Sequence, residues 1–225
     1  MAALCLFVSW SFAEDSNAAL RERMVAQQIQ ARGVTDEATL KAMAAVERHH
    51  FVDSRLAGRA YEDRPLPIGH GQTISQPYIV AFMTEIVRPK PDHRVLEIGA
   101  GSGYQAAVLA EIVDEVYTIE IVEPLAETSA GVLQRLGYDN VEVRHGDGYY
   151  GWEDKAPFDS IVVTAAAEYI PPPLIEQLKE GGRMIIPVGS PLRTQQLMLV
   201  EKRDGEVQTR SLMPVRFVPF TRADD

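Results

Sequence analysis

The sequence predicts an α/β protein: a Rossmann-like, open, mostly parallel twisted sheet with helices on both faces, an antiparallel strand at the C-terminal edge and an N-terminal helical extension. Three observations predict it. The run Arg94-Val95-Leu96-Glu97-Ile98 opens into Gly99, Gly101 and Gly103 at alternate positions, and Ala106, Ala107, Leu109, Ala110 and Val113 follow at helical spacing. That is the strand, glycine turn and helix of a first nucleotide-binding βα unit. Val116 to Glu120 reads as the second strand and ends in an acid 17 residues beyond Gly103, where a carboxylate can accept both hydroxyls of a ribose. Near the C terminus, Asp204-Gly205 separates two strand-like runs, a hairpin signal that places antiparallel strands at the edge.

The 225 residues carry 32 acidic and 22 basic side chains, a net charge of -10. The length fits one domain, divided here into a leader (1–13), N-terminal helices and a substrate loop (14–90), a cofactor-binding core (91–190) and a C-terminal hairpin and tail (191–225). The acidic balance argues against a nucleic-acid partner and against an anionic membrane surface, but not against a cationic ligand. Cys5 is the single cysteine, so neither an intramolecular disulfide nor a cysteine metal site is expected. His49-His50 is the one local pair of metal-type ligands. Adjacent side chains rarely aim at one ion and no third ligand is evident, so no metal is expected.

Residues 2–13 are almost wholly apolar, and Ser11-Phe12-Ala13 before Glu14 offers the small residues of a signal cleavage site. No Lys or Arg precedes the run, and about a dozen residues cannot span a bilayer as a helix, so no stable membrane insertion is expected. A helix is predicted over Asn17–Ala31, closed by Gly33, and a second from Asp36 with Thr35 or Asp36 as N-cap. Arg48–Val52 and Tyr61–Gly69 read as irregular, ordered chain without a clear period. Ser75 precedes a helix marked by Ile79, Val80, Met83, Ile86 and Val87, with Pro77 in its first turn. As a bare position Ser75 is the N-cap; a helix start with a free hydroxyl and unpaired N–H groups is also a carboxylate site.

Beyond the second strand, Glu123–Leu136 is helical and Gly137 stops it. Val141–Arg144 is a third strand, followed by Gly146-Asp147-Gly148, and Phe158–Val163 a fourth. Leu174–Lys179 is a short helix, and Gly181-Gly182 turns the chain into the strand Arg183–Val188. Strands over 195–202 and 207–212 complete the sheet. The glycine stretch admits two ligands. From Gly101 it gives Gly-Ser-Gly-Tyr-Gln-Ala, a relaxed dinucleotide fingerprint. From Glu97 it gives E-x-G-x-G-x-G, which resembles the first motif of S-adenosylmethionine-dependent methyltransferases.

Further segments narrow the choice: Gly71-Gln72-Thr73-Ile74-Ser75-Gln76-Pro77 ahead of the glycines, then Gly146-Asp147-Gly148, Phe158-Asp159, Ala165-Ala166-Ala167, the run Leu178–Arg183 and Ile186-Pro187-Val188-Gly189. With these, residues 17–222 resemble the protein-L-isoaspartate O-methyltransferases. The first block is the narrowest signal, since the glycine motif is common to all class I methyltransferases. Many members of the family have Asp where this chain has Glu97.

The resemblance implies S-adenosylmethionine as cofactor and isoaspartyl proteins and peptides as substrates, methylated on the free α-carboxylate. It implies that Gly99, Gly101 and Gly103 approach the methionine part of the cofactor with Glu97 nearby, that Glu120 takes the ribose, and that Asp147, beside Gly148, takes the adenine amino group. Ser75, with Thr73 and Ile74, is implied to hold the substrate carboxylate. The tail Val215-Arg216-Phe217-Val218-Pro219-Phe220, with Val215 and Phe217 as its contact residues, is implied to offer a backbone edge to the substrate peptide; from pattern alone it reads equally as a packed C-terminal strand. A carboxylate is ionised at neutral pH, so no general base is required, in keeping with the lack of a Ser-His-Asp arrangement near Ser75.

A nicotinamide-dependent oxidoreductase is the rival enzyme, but it leaves Gly99 and Asp147-Gly148 unexplained and lacks a substrate domain. A cofactor-binding module without transfer activity is the rival of another kind, and an S-adenosylmethionine-dependent methyltransferase with another acceptor is a further alternative, against whose nucleic-acid form the acidic balance argues. The resemblance points to the cytoplasm, the leader to export into the periplasm, and nothing in the sequence calls for more than a monomer.

Overall fold

The computed structural model describes residues 17–190 and 193–223, so the apolar leader lies outside the described residues. Helix α1 (residues 17–23) continues through a π turn (Met24–Ile29) and a 3-10 turn (Gln30–Arg32) and stops at Gly33, whose φ of 96° is the left-handed C-cap expected there. Helix α2 (Glu37–Ala45) starts at Asp36, whose carboxylate accepts the Thr39 N–H at 2.8 Å. The stretch expected to be irregular is more regular than its pattern. It holds 3-10 turns at Arg48–Phe51 and Ser54–Arg59 and a small hairpin, β1 (Leu66–Gly69) and β2 (Gln72–Ile74). Strands of 4 and 3 residues, the first containing Pro67, are too short to display an alternation.

Helix α3 (Pro77–Val87) begins one residue later than the Ser75 N-cap reading: Gln76 is the N-cap, without a side-chain capping bond, and Pro77 opens the first turn. Pro77 fits there because its missing N–H is one that a helix start leaves unbonded. Then come β3 (Arg94–Ile98), α4 (Tyr104–Ala110), β4 (Glu115–Glu120), α5 (Glu123–Arg135), β5 (Val141–His145), β6 (Phe158–Val163), α6 (Pro172–Glu176), β7 (Leu178–Val188), β8 (Gln195–Arg203) and β9 (Glu206–Val215). Two expected boundaries move. Helix α6 is over by Glu176, and β7 runs through Gly181-Gly182 instead of starting after them. Leu178 pairs with Phe158, and the register shifts before Arg183 pairs with Ser160. A Cβ on Gly182 would stand 2.7 Å from the Lys179 carbonyl oxygen, so the glycines allow an irregularity within one strand.

The seven main strands lie in the order β5-β4-β3-β6-β7-β8-β9, parallel through β7, with β8 and β9 antiparallel as the hairpin signal predicted. Both faces of the central strands are buried. Val95, Val116, Val162 and Ile185 join the core shared with the N-terminal helices. Their strand neighbours Leu96, Tyr117, Ile161 and Met184 join the opposite core with Trp152 and Leu174. Strand order reverses between β3's two partners, β4 and β6, and the crevice beyond their carboxyl ends is where such sheets take ligands.

Candidate active site

The cavity at that crevice is lined by Glu97, Ile98, Gly99, Gly101, Tyr104, Gln105, Glu120 and Gly148, and also by Thr73, Ile74, Ser75, Thr164 and Val218. The glycine turn is held from both sides. Gly99 donates its N–H to the Ile119 carbonyl at 2.8 Å, and the Thr164 hydroxyl donates to the Gly99 carbonyl at 2.6 Å. A Cβ on Gly99, at φ 95°, would lie 2.5 Å from Thr164 Oγ1. Gly148 closes on the Ile98 side chain in the same way. Here the protein's own packing excludes a side chain. Glu120, 5 % exposed, accepts the Gly101 N–H at 2.7 Å through Oε2 and the Val122 N–H at 2.9 Å through Oε1. Each oxygen keeps a lone pair for a further donor.

Glu97 is fully buried. Oε2 accepts the Thr118 hydroxyl at 2.5 Å, and Oε1 has no protein partner. Burial, reinforced by the nearby Glu120 carboxylate and only partly offset by Thr118, pushes its pKa up to about 8.

Asp147 is not itself among the residues that line this cavity, but its neighbour Gly148 is. Oδ1 caps its own turn by accepting the Tyr149 N–H at 2.9 Å, and Oδ2 accepts Arg222 Nε at 2.9 Å and the Ala223 N–H at 3.3 Å. Burial works against its charge, but the Tyr149 N–H and Arg222 outweigh it and hold the carboxyl below its ordinary range. The Arg222 guanidinium also lies 3.7 Å over the Tyr149 ring.

A second concavity abuts the first. It is lined by Arg32, Gln76, Ile79 and residues 213–218, and it shares Thr73, Ser75, Thr164 and Val218 with the cavity. Ser75 thus stands, half-buried, in the wall between the two, just before the uncapped first turn of α3. The structure brings Thr73 and Ser75 together there. Ile74 is 3 % exposed in the core, and so is Val215 at 7 %, so neither presents an open side chain. Val215 pairs with Gln195 at the end of β9, and the Phe217 N–H donates to Gln195 Oε1 at 3.0 Å. Further along, the Ala166 N–H donates to the Val218 carbonyl and the Phe220 N–H to the Ala166 carbonyl, at 2.8 and 2.9 Å. Beyond β9 the tail is irregular and partly exposed, tied to the loop after β6 by these bonds and an isolated bridge between Ala166 and Pro219.

Sequence reasoning missed Thr164 and Thr221, and it read Val218, Pro219 and Phe220 as part of a substrate edge without placing them in the wall of the first cavity. Thr164 directly follows β6 at the strand-order reversal, which was its one available signal. A third group near the histidine pair was missed too. Glu47, His49 and His50 bring ligand atoms within 4.8 Å of one another, though Glu47 is also paired with Arg21 at 3.2 Å and His49 with the Tyr61 hydroxyl at 2.8 Å.

The chain resembles known proteins over nearly its whole length. The profile of the protein-L-isoaspartate(D-aspartate) O-methyltransferase family matches residues 19–225. A protein-L-isoaspartate O-methyltransferase of Opitutus terrae is 64 % identical over 202 residues, covering 90 % of this chain and 87 % of that one. One from Gloeobacter violaceus is 56 % identical over 88 % of this chain and 97 % of its own. A solved protein-L-isoaspartate O-methyltransferase superposes with a TM-score of 0.82 at 33 % identity, over 88 % of this chain and 65 % of that chain. A putative enzyme of the same name from Plasmodium falciparum, solved in complex with S-adenosyl-L-homocysteine, gives 0.76 at 28 % identity over 91 % and 98 %. With the strand order, the glycine turn and the Ser75 wall in place, these matches show that the chain belongs to the protein-L-isoaspartate O-methyltransferase family.

Proposed function

We propose that the cavity holds S-adenosylmethionine and the adjoining groove an isoaspartyl peptide, with methyl transfer crossing the wall that Ser75 and Thr164 share. The family's reaction, carried out by this chain, moves a methyl group from S-adenosylmethionine to the free α-carboxylate of L-isoaspartyl residues in damaged proteins. One observation carries the site assignment: Thr73, Ser75, Thr164 and Val218 line both spaces.

The residues suit the cofactor. Glu97 offers an unpaired acceptor and Glu120 two further lone pairs, both in a net-acidic pocket fit for a cationic ligand. When bound, S-adenosylmethionine supplies an electrophilic sulfonium methyl. The glycine turn of Gly99, Gly101 and Gly103 would hold its methionine part, Glu120 would take the ribose hydroxyls, and Oδ1 of Asp147, beside Gly148, would take the adenine amino group. Ser75 and the first-turn N–H groups of α3 hold the substrate carboxylate, with Thr73 and Ile74 positioning it through β2. Val215 and Phe217 shape the groove that receives the peptide. Catalysis rests on alignment, which can be worth roughly 7–11 kcal/mol.

No helix among the described residues is long and apolar enough to cross a membrane. We place the protein in the cytoplasm as a monomer acting on protein substrates without nucleic acid. N-terminal sequencing of the mature chain tests the alternative of export, which removal of residues 1–13 would indicate. The site assignment is tested by following labelled methyl transfer to an L-isoaspartyl peptide and its L-aspartyl twin in Thr164→Val and wild type. Labelling of the isoaspartyl peptide alone, with a loss in the variant, supports it; an unaffected variant removes the wall from the mechanism.

A further inference from the structure

Among the described residues, Glu97 is the one buried side chain lining the cavity with an oxygen that no protein group satisfies. It sits at the penultimate position of β3, between Leu96 and Ile98, and is 0 % exposed. Its neighbour on β6 is Val162 and on β4 is Thr118, whose hydroxyl is its single hydrogen-bond donor among the described residues. The charged group acting on it is Glu120, another carboxylate, and no lysine or arginine among the described residues offsets the pair. An ionised carboxylate in that setting has one oxygen without a donor and a like charge nearby, and such a group stays neutral by keeping its proton.

We propose that Glu97 couples cofactor binding to proton release: it is a neutral acid in the empty cavity and gives its proton to solvent when a cationic ligand enters. S-adenosylmethionine carries a sulfonium and an ammonium against one carboxylate, so it brings net positive charge to a pocket with two acids and no counter-ion. The proton that leaves Glu97 goes to buffer, and the carboxylate left behind is paired with the ligand's charge. Burial explains why this proton is held in the empty state up to about pH 8, so the linkage spans neutral pH. Affinity then rises with pH up to about 8 and levels off above it. The acid selects for a charged ligand over a neutral one of the same shape, a discrimination that a permanently ionised surface carboxylate in water makes weakly.

The test is calorimetric titration of S-adenosylmethionine into the full-length protein at pH 7 in buffers of differing ionisation enthalpy. Wild type is expected to release close to one proton more than Glu97→Gln. The ratio of the two proteins' affinities should change about ten-fold between pH 6.5 and 7.5. The ligand's own amino group titrates alike in both and cancels in the difference. Glu97→Asp, still an acid, should restore the release. 5′-Methylthioadenosine, which lacks sulfonium, ammonium and carboxylate, should bind wild type without it, a comparison that needs no variant to fold. Equal proton counts in wild type and Glu97→Gln, or equal release with both ligands, overturns the proposal. It rests on the cavity being the cofactor site, which a weakened Glu120→Gln reports separately without any proton count.

Discussion

Gly101 donates its N–H to Oε2 of Glu120 at 2.7 Å, so the glycine turn after β3 is tied to the last residue of β4. The same carboxylate accepts from Val122 through its other oxygen. The acid read from the sequence as a ribose ligand therefore also shapes the turn. Glu120→Gln leaves one oxygen and puts an N–H₂ against one of the two backbone donors. A hydrogen bond to a charged group is worth about 1.5–3 kcal/mol, so S-adenosylmethionine affinity should fall roughly 10- to 100-fold. Isothermal titration checks this, and an unchanged dissociation constant would remove Glu120 from the cofactor site.

Gly99 is a glycine for a reason internal to the protein. Alanine there would place its Cβ 2.5 Å from Thr164 Oγ1 at a backbone φ of 95°. Gly99→Ala should cost about 1–3 kcal/mol through strain and the disturbed hydroxyl. In Gly99→Ala/Thr164→Ala the clash is gone but the φ remains, so the double variant should be more stable than the sum of its singles predicts. Chemical denaturation of the four proteins of the cycle measures this; strict additivity would mean the contact is relieved some other way.

Ser75 lines both concavities and makes no cap for α3. Ser75→Ala should leave cofactor affinity within about two-fold and lower turnover at saturating isoaspartyl peptide by roughly 10- to 100-fold, the worth of one hydrogen bond to a carboxylate. Steady-state kinetics with direct cofactor titration separates the two. Full turnover in the variant would take the hydroxyl out of the reaction.

Asp147 and Arg222 join the chain's C-terminal region to the loop after β5, with side chains 9 % and 26 % exposed. The folded Asp147 carboxyl titrates below its ordinary value, held there against burial by the Tyr149 N–H and Arg222. A depressed carboxyl stabilises the fold above the unfolded-state pKa of about 3.9, and that stability is lost as pH falls through the lower folded value. Arg222→Ala should therefore be less stable than wild type at pH 7, by about 1 kcal/mol for a partly exposed pair. The gap should close as the pH drops below about 4. Melting curves across that range test it, and a gap that persists in acid would place the loss in the Arg222–Tyr149 stacking instead.

The parts of this protein that local chemistry dictates were legible in the sequence. Residues 94–98 had to be a strand and 104–110 a helix because their apolar spacing and the glycines between them admit little else. The stop at Gly33 and the turn at Asp204-Gly205 followed from backbone conformations that few other residues adopt. Glu120 was legible as a site residue because its distance from Gly103 is set by one βα unit.

What the sequence left open was everything that depends on segments far apart in the chain. Hairpin β1–β2 is too short to show a period, and the extra length of β7 comes from pairing with β6. Thr164 enters the site because β6 lies beside β3, 66 residues earlier at Ile98. Whether Gly99 is small for a ligand or for Thr164, and whether Glu97 has a partner, are matters of which atoms meet across strands. Local pattern reports conformation, and only the folded sheet decides which buried groups find each other and which are left for a ligand to satisfy.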